Sequence, residues 1–145
     1  MAHDFKKFPE LTNNQMNLYY FDSPHEQITS DFDAKVVGVH DGDTVRLKAG
    51  FRDFTFPLRF SNILAAEINE EGGIKSRDRL RTLIDGASVE IIVDKTNRVG
   101  KYGRLLGEVR HKGMDIGEQM ISEGFAIGLD EERPGVTELI IKGII

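Results

Sequence analysis

Two strand-like runs face each other across Asp41-Gly42-Asp43, and this feature constrains the chain most. Lys35-Val36-Val37-Gly38-Val39 is β-branched, Thr44-Val45-Arg46-Leu47 alternates, and Asp-Gly between such runs signals a tight hairpin. Lys48-Ala49-Gly50 offers a second turn. Phe54-Thr55-Phe56-Pro57-Leu58-Arg59-Phe60 alternates again, with Phe54, Phe56, Leu58 and Phe60 on one face. Pro57 lacks an N–H and marks an edge or a bulge in that strand.

Gly72-Gly73 then opens a helical stretch from Ile74 to Ile84, with Ile74, Leu80, Leu83 and Ile84 expected on its buried face and Asp85-Gly86 as its stop. Val89–Val93 reads as a fourth strand and Arg104–Val109 as a fifth. Asp115 can cap a second helix running through Gly124, with Ile116, Met120 and Ile121 inward. Five short strands interrupted by one helix and followed by another predict an α+β, mainly β fold: a five-stranded OB-type barrel with two to three helices. The expected divisions are an N-terminal arm over 1–33, the barrel domain over 34–130 and a C-terminal segment over 131–145 with a short helix. In the arm, Tyr19, Tyr20 and Phe21 suggest a strap whose aromatic rings cover a barrel edge.

The 145 residues suffice for one domain with its own core. At 39% hydrophobic and 30% charged residues, the composition is that of a soluble globular chain. No apolar run is long enough to span a bilayer, and no signal peptide is visible. There is no cysteine, which excludes disulfides and thiolate metal sites, and the four histidines show no zinc-ligand spacing. The net charge of −5 argues against tight nonspecific duplex binding but leaves room for a local basic site.

Asp41-Gly42-Asp43-Thr44 alone is what many hairpins use. Its combination with Arg59, Glu67 and Lys101-Tyr102-Gly103-Arg104 is different. A turn carboxylate can supply oxygen to a hard cation. Phosphodiester cleavage needs a base for water and cations around the phosphate, and a glutamate with two arginines suits those roles.

In the order and spacing of these residues, the stretch from about Lys35 to Leu129 resembles the staphylococcal nucleases. The resemblance implies that Asp43 binds calcium with Asp41 nearby, that Arg59 and Arg104 hold the scissile phosphate, and that Glu67 acts on the attacking water. It also implies that Lys101 and Tyr102 contact the substrate, which would be DNA or RNA. Two departures bear on this. The family pattern Arg-Leu-x-Gly-Ile-Asp-Ala-Pro-Glu reads here Arg59-Phe60-Ser61-Asn62-Ile63-Leu64-Ala65-Ala66-Glu67, so Leu64 stands where the family has its second metal-binding aspartate. One anionic ligand is lost and a weak calcium site is expected, with Asp41 or water left to compensate. After the second helix, Asp130-Glu131-Glu132 stands near where the family carries nucleotide-binding tyrosines. Two readings follow: a calcium-dependent nuclease with a weakened metal site, or a catalytically impaired nuclease-like module that binds a protein partner or a phosphate ligand.

Overall fold

The computed structural model describes residues 3–100 and 103–129. The anticipated terminal helix, Asp130-Glu131-Glu132, Lys101 and Tyr102 lie outside the described residues.

Strand β1 (Phe32–Asp41) is ten residues long and bent. Its first residues pair with β5 (Ser88–Ile92), and the stretch from Lys35 to Asp41 pairs with β2 (Thr44–Lys48). Register shifts between Val36 and Gly38 and between Val39 and Asp41 let one strand serve two directions, as a small barrel requires. Strand β3 (Phe56–Phe60) pairs antiparallel with β2, and β6 (Leu105–His111) pairs antiparallel with β5. Parallel pairing of Leu58-Arg59-Phe60 with Leu105-Leu106-Gly107 closes the five-stranded barrel. Pro57 sits one residue before that pairing begins, so its missing N–H costs no bond to β6. Short strands β4 (Ile63–Leu64) and β8 (Ile127–Gly128) form a separate two-stranded piece, and β7 (Met114–Asp115) folds back to pair antiparallel with the end of β6.

The alternation fills the interior. Val36, Val45, Leu47, Phe56, Leu58, Phe60, Ile91, Leu105 and Val109 point inward and are buried. Gly107 also points inward, where a Cβ would come within 2.8 Å of Ile91 Cγ2, so glycine permits the close approach of β6 to β5.

Helix α2 (Gly73–Ile84) buries Gly73, Ser76, Leu80 and Ile84. Ile74, expected inward, is exposed, because at 100° per residue it lies well off the line through Ser76, Leu80 and Ile84. A serine takes the inward position because the hairpin presses against it: a Cβ on Gly42 would sit 2.7 Å from Ser76 Cβ and 2.8 Å from Ala65 Cβ. Helix α3 (Ile116–Ser122) is capped by the Asp115 carboxylate, which accepts from Glu118 N–H at 2.9 Å. Ile116 and Met120 are buried and Ile121 is half-buried.

The N-terminal arm is a strap, but its anchors are not the aromatic cluster. It contains a helix, α1 (Asn13–Tyr19), started by a capping box between Thr12 and Gln15 and followed by a 3₁₀ turn over Tyr20–Asp22. Phe21 is 96% exposed and Tyr20 half exposed, while the Tyr19 ring lies 5.9 Å from the strap's own His3 ring. The strap is held instead by a buried ionic network. Glu10 pairs with Arg52 at 2.5 Å and with Arg98 at 3.7 Å, all three side chains being at most 2% exposed. Glu10 also accepts from Ile28 N–H at 3.1 Å. Arg98 donates to the carbonyls of Ile28 and Leu11, and Arg52 to that of Glu26. The Arg52 guanidinium lies 4.8 Å from the Phe54 ring and 4.7 Å from that of Phe56. Burial lowers the Arg98 pKa and Glu10 partly restores it.

Candidate active site

The β1–β2 hairpin positions the first two candidate residues. Asp41 and Asp43 are both buried, and the Asp43 N–H donates to Asp41 Oδ1 at 3.2 Å. Asp43 then ties three segments together. Its Oδ2 accepts from Ala65 N–H at 2.9 Å and faces Arg59 Nη2 at 3.3 Å, its Oδ1 accepts from Thr44 Oγ1 at 3.2 Å, and its carbonyl accepts from Phe60 N–H. Arg59 is fixed further by Nη1 donating to the carbonyls of Phe60 and Ile63. The guanidinium is thus locked over the hairpin by backbone on one side and a carboxylate on the other.

Glu67 follows Ala65 by two residues, in the loop entering α2. Its side chain is exposed, and its N–H donates to Glu70 Oε1 at 2.8 Å. A Cβ on Gly73 would fall 1.9 Å from the Glu67 carbonyl, so the first residue of α2 has to be glycine for the Glu67 loop to lie where it does. Arg104 is half-buried and directly precedes β6, and its carbonyl accepts from Gly100 N–H at 2.8 Å. The β3–β6 register aligns Arg59 with Leu106. Positions 104 and 106 therefore share the outer face with Arg59. Asp43 contacts both Asp41 and Arg59; Glu67 lies two residues beyond the Ala65 amide that donates to Asp43, and Arg104 directly precedes the strand that pairs with β3.

Leu64 is half-buried in β4, opposite Ile127, beside the Ala65 amide that binds Asp43. Among the described residues no three His, Asp or Glu side chains cluster as metal ligands. The carboxylates that could face a cation at the hairpin are a pair, Asp41 and Asp43, and that pair is electrostatically uncomfortable. Burial first, then the hydrogen bond that a protonated Asp43 donates to Asp41 and the charge of Asp41, push the Asp43 carboxyl up to about 7 against the pull of Arg59 and the Ala65 amide. Two crowded carboxylates that resist ionising together suit one weakly held hard cation, whose charge would relieve them.

The raised pKa has a stability consequence. In the unfolded chain an aspartate titrates near 4 (about 3.9), so the folded state holds the proton more tightly. The resulting stability is fully present below about pH 4 and is lost as pH rises through about 7. In calcium-free buffer the melting temperature of the wild type should fall more between pH 5 and pH 8 than that of Asp43→Asn. Parallel curves would show that Asp43 does not titrate in this range.

A small closed barrel, here with a carboxylate of its first hairpin paired to an arginine of β3, is the OB-type architecture expected from the sequence. Residues 57–138 match the family model described as staphylococcal nuclease homologue. Two curated proteins, each called an uncharacterized endonuclease, one from Escherichia coli O157:H7 and one from Escherichia coli, are 31% identical over 110 residues, which is 75% of this chain and 67% of theirs. The chain belongs to the staphylococcal nuclease homologue family. None of its described helices is long and apolar enough to cross a membrane.

Sequence reasoning missed the strap's contribution to this region. Phe8 packs against Gly103, leaving no room for a side chain at a position whose φ of 70° already favours glycine, and Arg98 anchors the base of the segment that leads to Arg104. The Thr12-x-x-Gln15 capping box was the available signal that the arm is structured.

Proposed function

We propose that this domain is a calcium-dependent phosphodiesterase acting on DNA or RNA, with a weakly held metal. The observation that carries the reading is the triple role of the Asp43 carboxylate. It contacts Arg59 and tethers, through the Ala65 amide, the loop on which Glu67 is exposed to solvent. A cation-facing carboxylate, a phosphate-sized guanidinium and an accessible base are thus linked by one side chain.

In this reading the two arginines bind non-bridging oxygens of the scissile phosphate, and Lys101 and Tyr102 contact the flanking nucleotide. Glu67 orients a water and takes its proton as the water oxygen bonds to phosphorus. The ester oxygen on the opposite side departs with its electron pair and takes up a proton from solvent. Arg59, held rigidly by two carbonyls, stabilises the charge that builds on the phosphoryl oxygens without having to reorganise. Calcium on Asp43 and Asp41, when bound, supplies further neutralisation of the phosphate.

The second reading, an impaired module that binds a phosphate ligand or a protein, draws its support from Leu64 and the two-carboxylate donor set. Release of acid-soluble product from single-stranded DNA and RNA, with calcium and with chelator, separates the two. Leu64→Asp sharpens the test. It should raise calcium affinity roughly tenfold or more by restoring a third carboxylate, as read by calorimetry, and cleavage should rise with it. Tighter calcium binding with no cleavage by either protein would favour the impaired module. Brisk cleavage by the wild type and no gain in the variant would show that Leu64 is no weakness.

A further inference from the structure

Beside the candidate active site lies a groove of about 620 Å³, walled on one side by the strap and on the other by β2, β3 and their connecting turn. Its chemistry differs from that of the acidic molecule as a whole. Lys6, Lys7 and Arg46 bring three cations, against Asp53 as the one acid among its lining residues. Phe5, His25 and Phe54 bring rings, with centroids 6.1 Å apart for Phe5 and His25 and 4.8 Å apart for His25 and Phe54.

One wall of the groove is part of the strand that carries Arg59. Pro57 lines it and lies two residues from Arg59 on β3, about 7 Å at the rise of a strand. Arg46 is register-paired with Pro57. At the other end, Phe8 packs on Gly103, next to Arg104. Strap residues 5–9 thus run from the Arg104 loop into the groove.

We propose that this groove is a track for single-stranded nucleic acid leading away from the scissile phosphate. Lys6, Lys7 and Arg46 follow the backbone and the rings of Phe5, His25 and Phe54 stack unpaired bases. Alternating cations and rings recognise a flexible polyanion with π-faces, which a duplex with stacked, inward-turned bases does not present. The proposal deepens the nuclease reading and rests on it for the identity of the site at the groove's end.

The test is binding in chelator, where nothing is cut, read by anisotropy of a fluorescein-labelled oligothymidylate of about twelve nucleotides across a salt series. Lys6→Glu/Lys7→Glu should weaken binding roughly tenfold or more and lower the salt slope by about 1.4, the value for two phosphate contacts on a single strand. Phe5→Ala should weaken binding roughly fivefold or more while leaving the salt slope in place. Lys6 and Lys7 are exposed, so an unchanged melting curve will certify the fold of the charge variant. Wild-type affinity in both variants overturns the track. Loss in the lysine variant with none in Phe5→Ala also overturns it, since the groove would then be a patch for any polyanion. A wild type that binds as described but releases no product in calcium refutes the nuclease reading alone, and a wild type that cleaves while both variants bind normally refutes the track alone.

Discussion

Glu10→Ala is expected to destabilise the protein by about 3–5 kcal/mol, because it leaves two guanidinium groups buried without their carboxylate. Arg52 and Arg98 are 4% and 3% exposed, so neither can recover water without opening the strap. The same substitution strands the Ile28 amide, which donates to Glu10. A domain of this size holds its fold by roughly 5–15 kcal/mol, so the loss should appear as a large drop in the denaturation midpoint. Glu10→Gln keeps the shape and removes the charge, and should fall between the wild type and Glu10→Ala. Tyr20→Ser and Phe21→Ser, at exposed positions, should shift stability by no more than about 0.5 kcal/mol. If the aromatic pair mattered more than Glu10 in urea titrations, the strap would be anchored differently from the way described above.

Glu67→Gln is expected to lower the cleavage rate by about 10²–10⁴, the usual contribution of a positioned general base. The side chain is exposed, and its loop is held by main-chain contacts: the Glu67 amide on Glu70 and the Glu67 carbonyl against Gly73. The variant should therefore fold and melt like the wild type, and calcium affinity should be little altered if, as proposed, Asp41 and Asp43 hold the metal. An unchanged rate at saturating oligonucleotide would remove Glu67 from the chemistry. Arg59→Gln should also slow cleavage, but Arg59 braces Phe60, Ile63 and Asp43, so its effect mixes catalysis with structure.

The barrel was readable because each strand carries its own signal. Phe56, Leu58 and Phe60 alternate with Pro57 and Arg59, and the alternation survives as the in–out pattern of β3. The Asp-Gly hairpin and the Gly-Gly and Asp-Gly limits of α2 are local turn chemistry and fell where expected. The inward face of α2 was misjudged at Ile74, because hydrophobicity named the side chain while the packing of Gly42 selected Ser76. The strap failed for a related reason. A lone glutamate in a polar arm and an arginine in a loop look solvated, and their burial is decided by each other across most of the chain. Three adjacent aromatics looked like anchors for the same reason, since composition says nothing about which side of a turn they leave from. Of the candidate site, the identity of Asp43 and Arg59 was legible, but not the Ala65 amide that joins them to the Glu67 loop, since a main-chain donor has no sequence signature.

The parallel closure of the barrel has a consequence for how this chain is made. Strand β3 leaves the ribosome long before β6, and until Leu105-Leu106-Gly107 emerges its Leu58-Arg59-Phe60 edge has no partner. That pairing joins segments distant in sequence, so it comes late and at the entropic expense of a long loop. The segment that follows Arg104 reaches the strand that carries Arg59 only in that step. A nascent or truncated chain ending before Gly107 therefore carries an open, pairing-prone edge, which exposes it to aggregation.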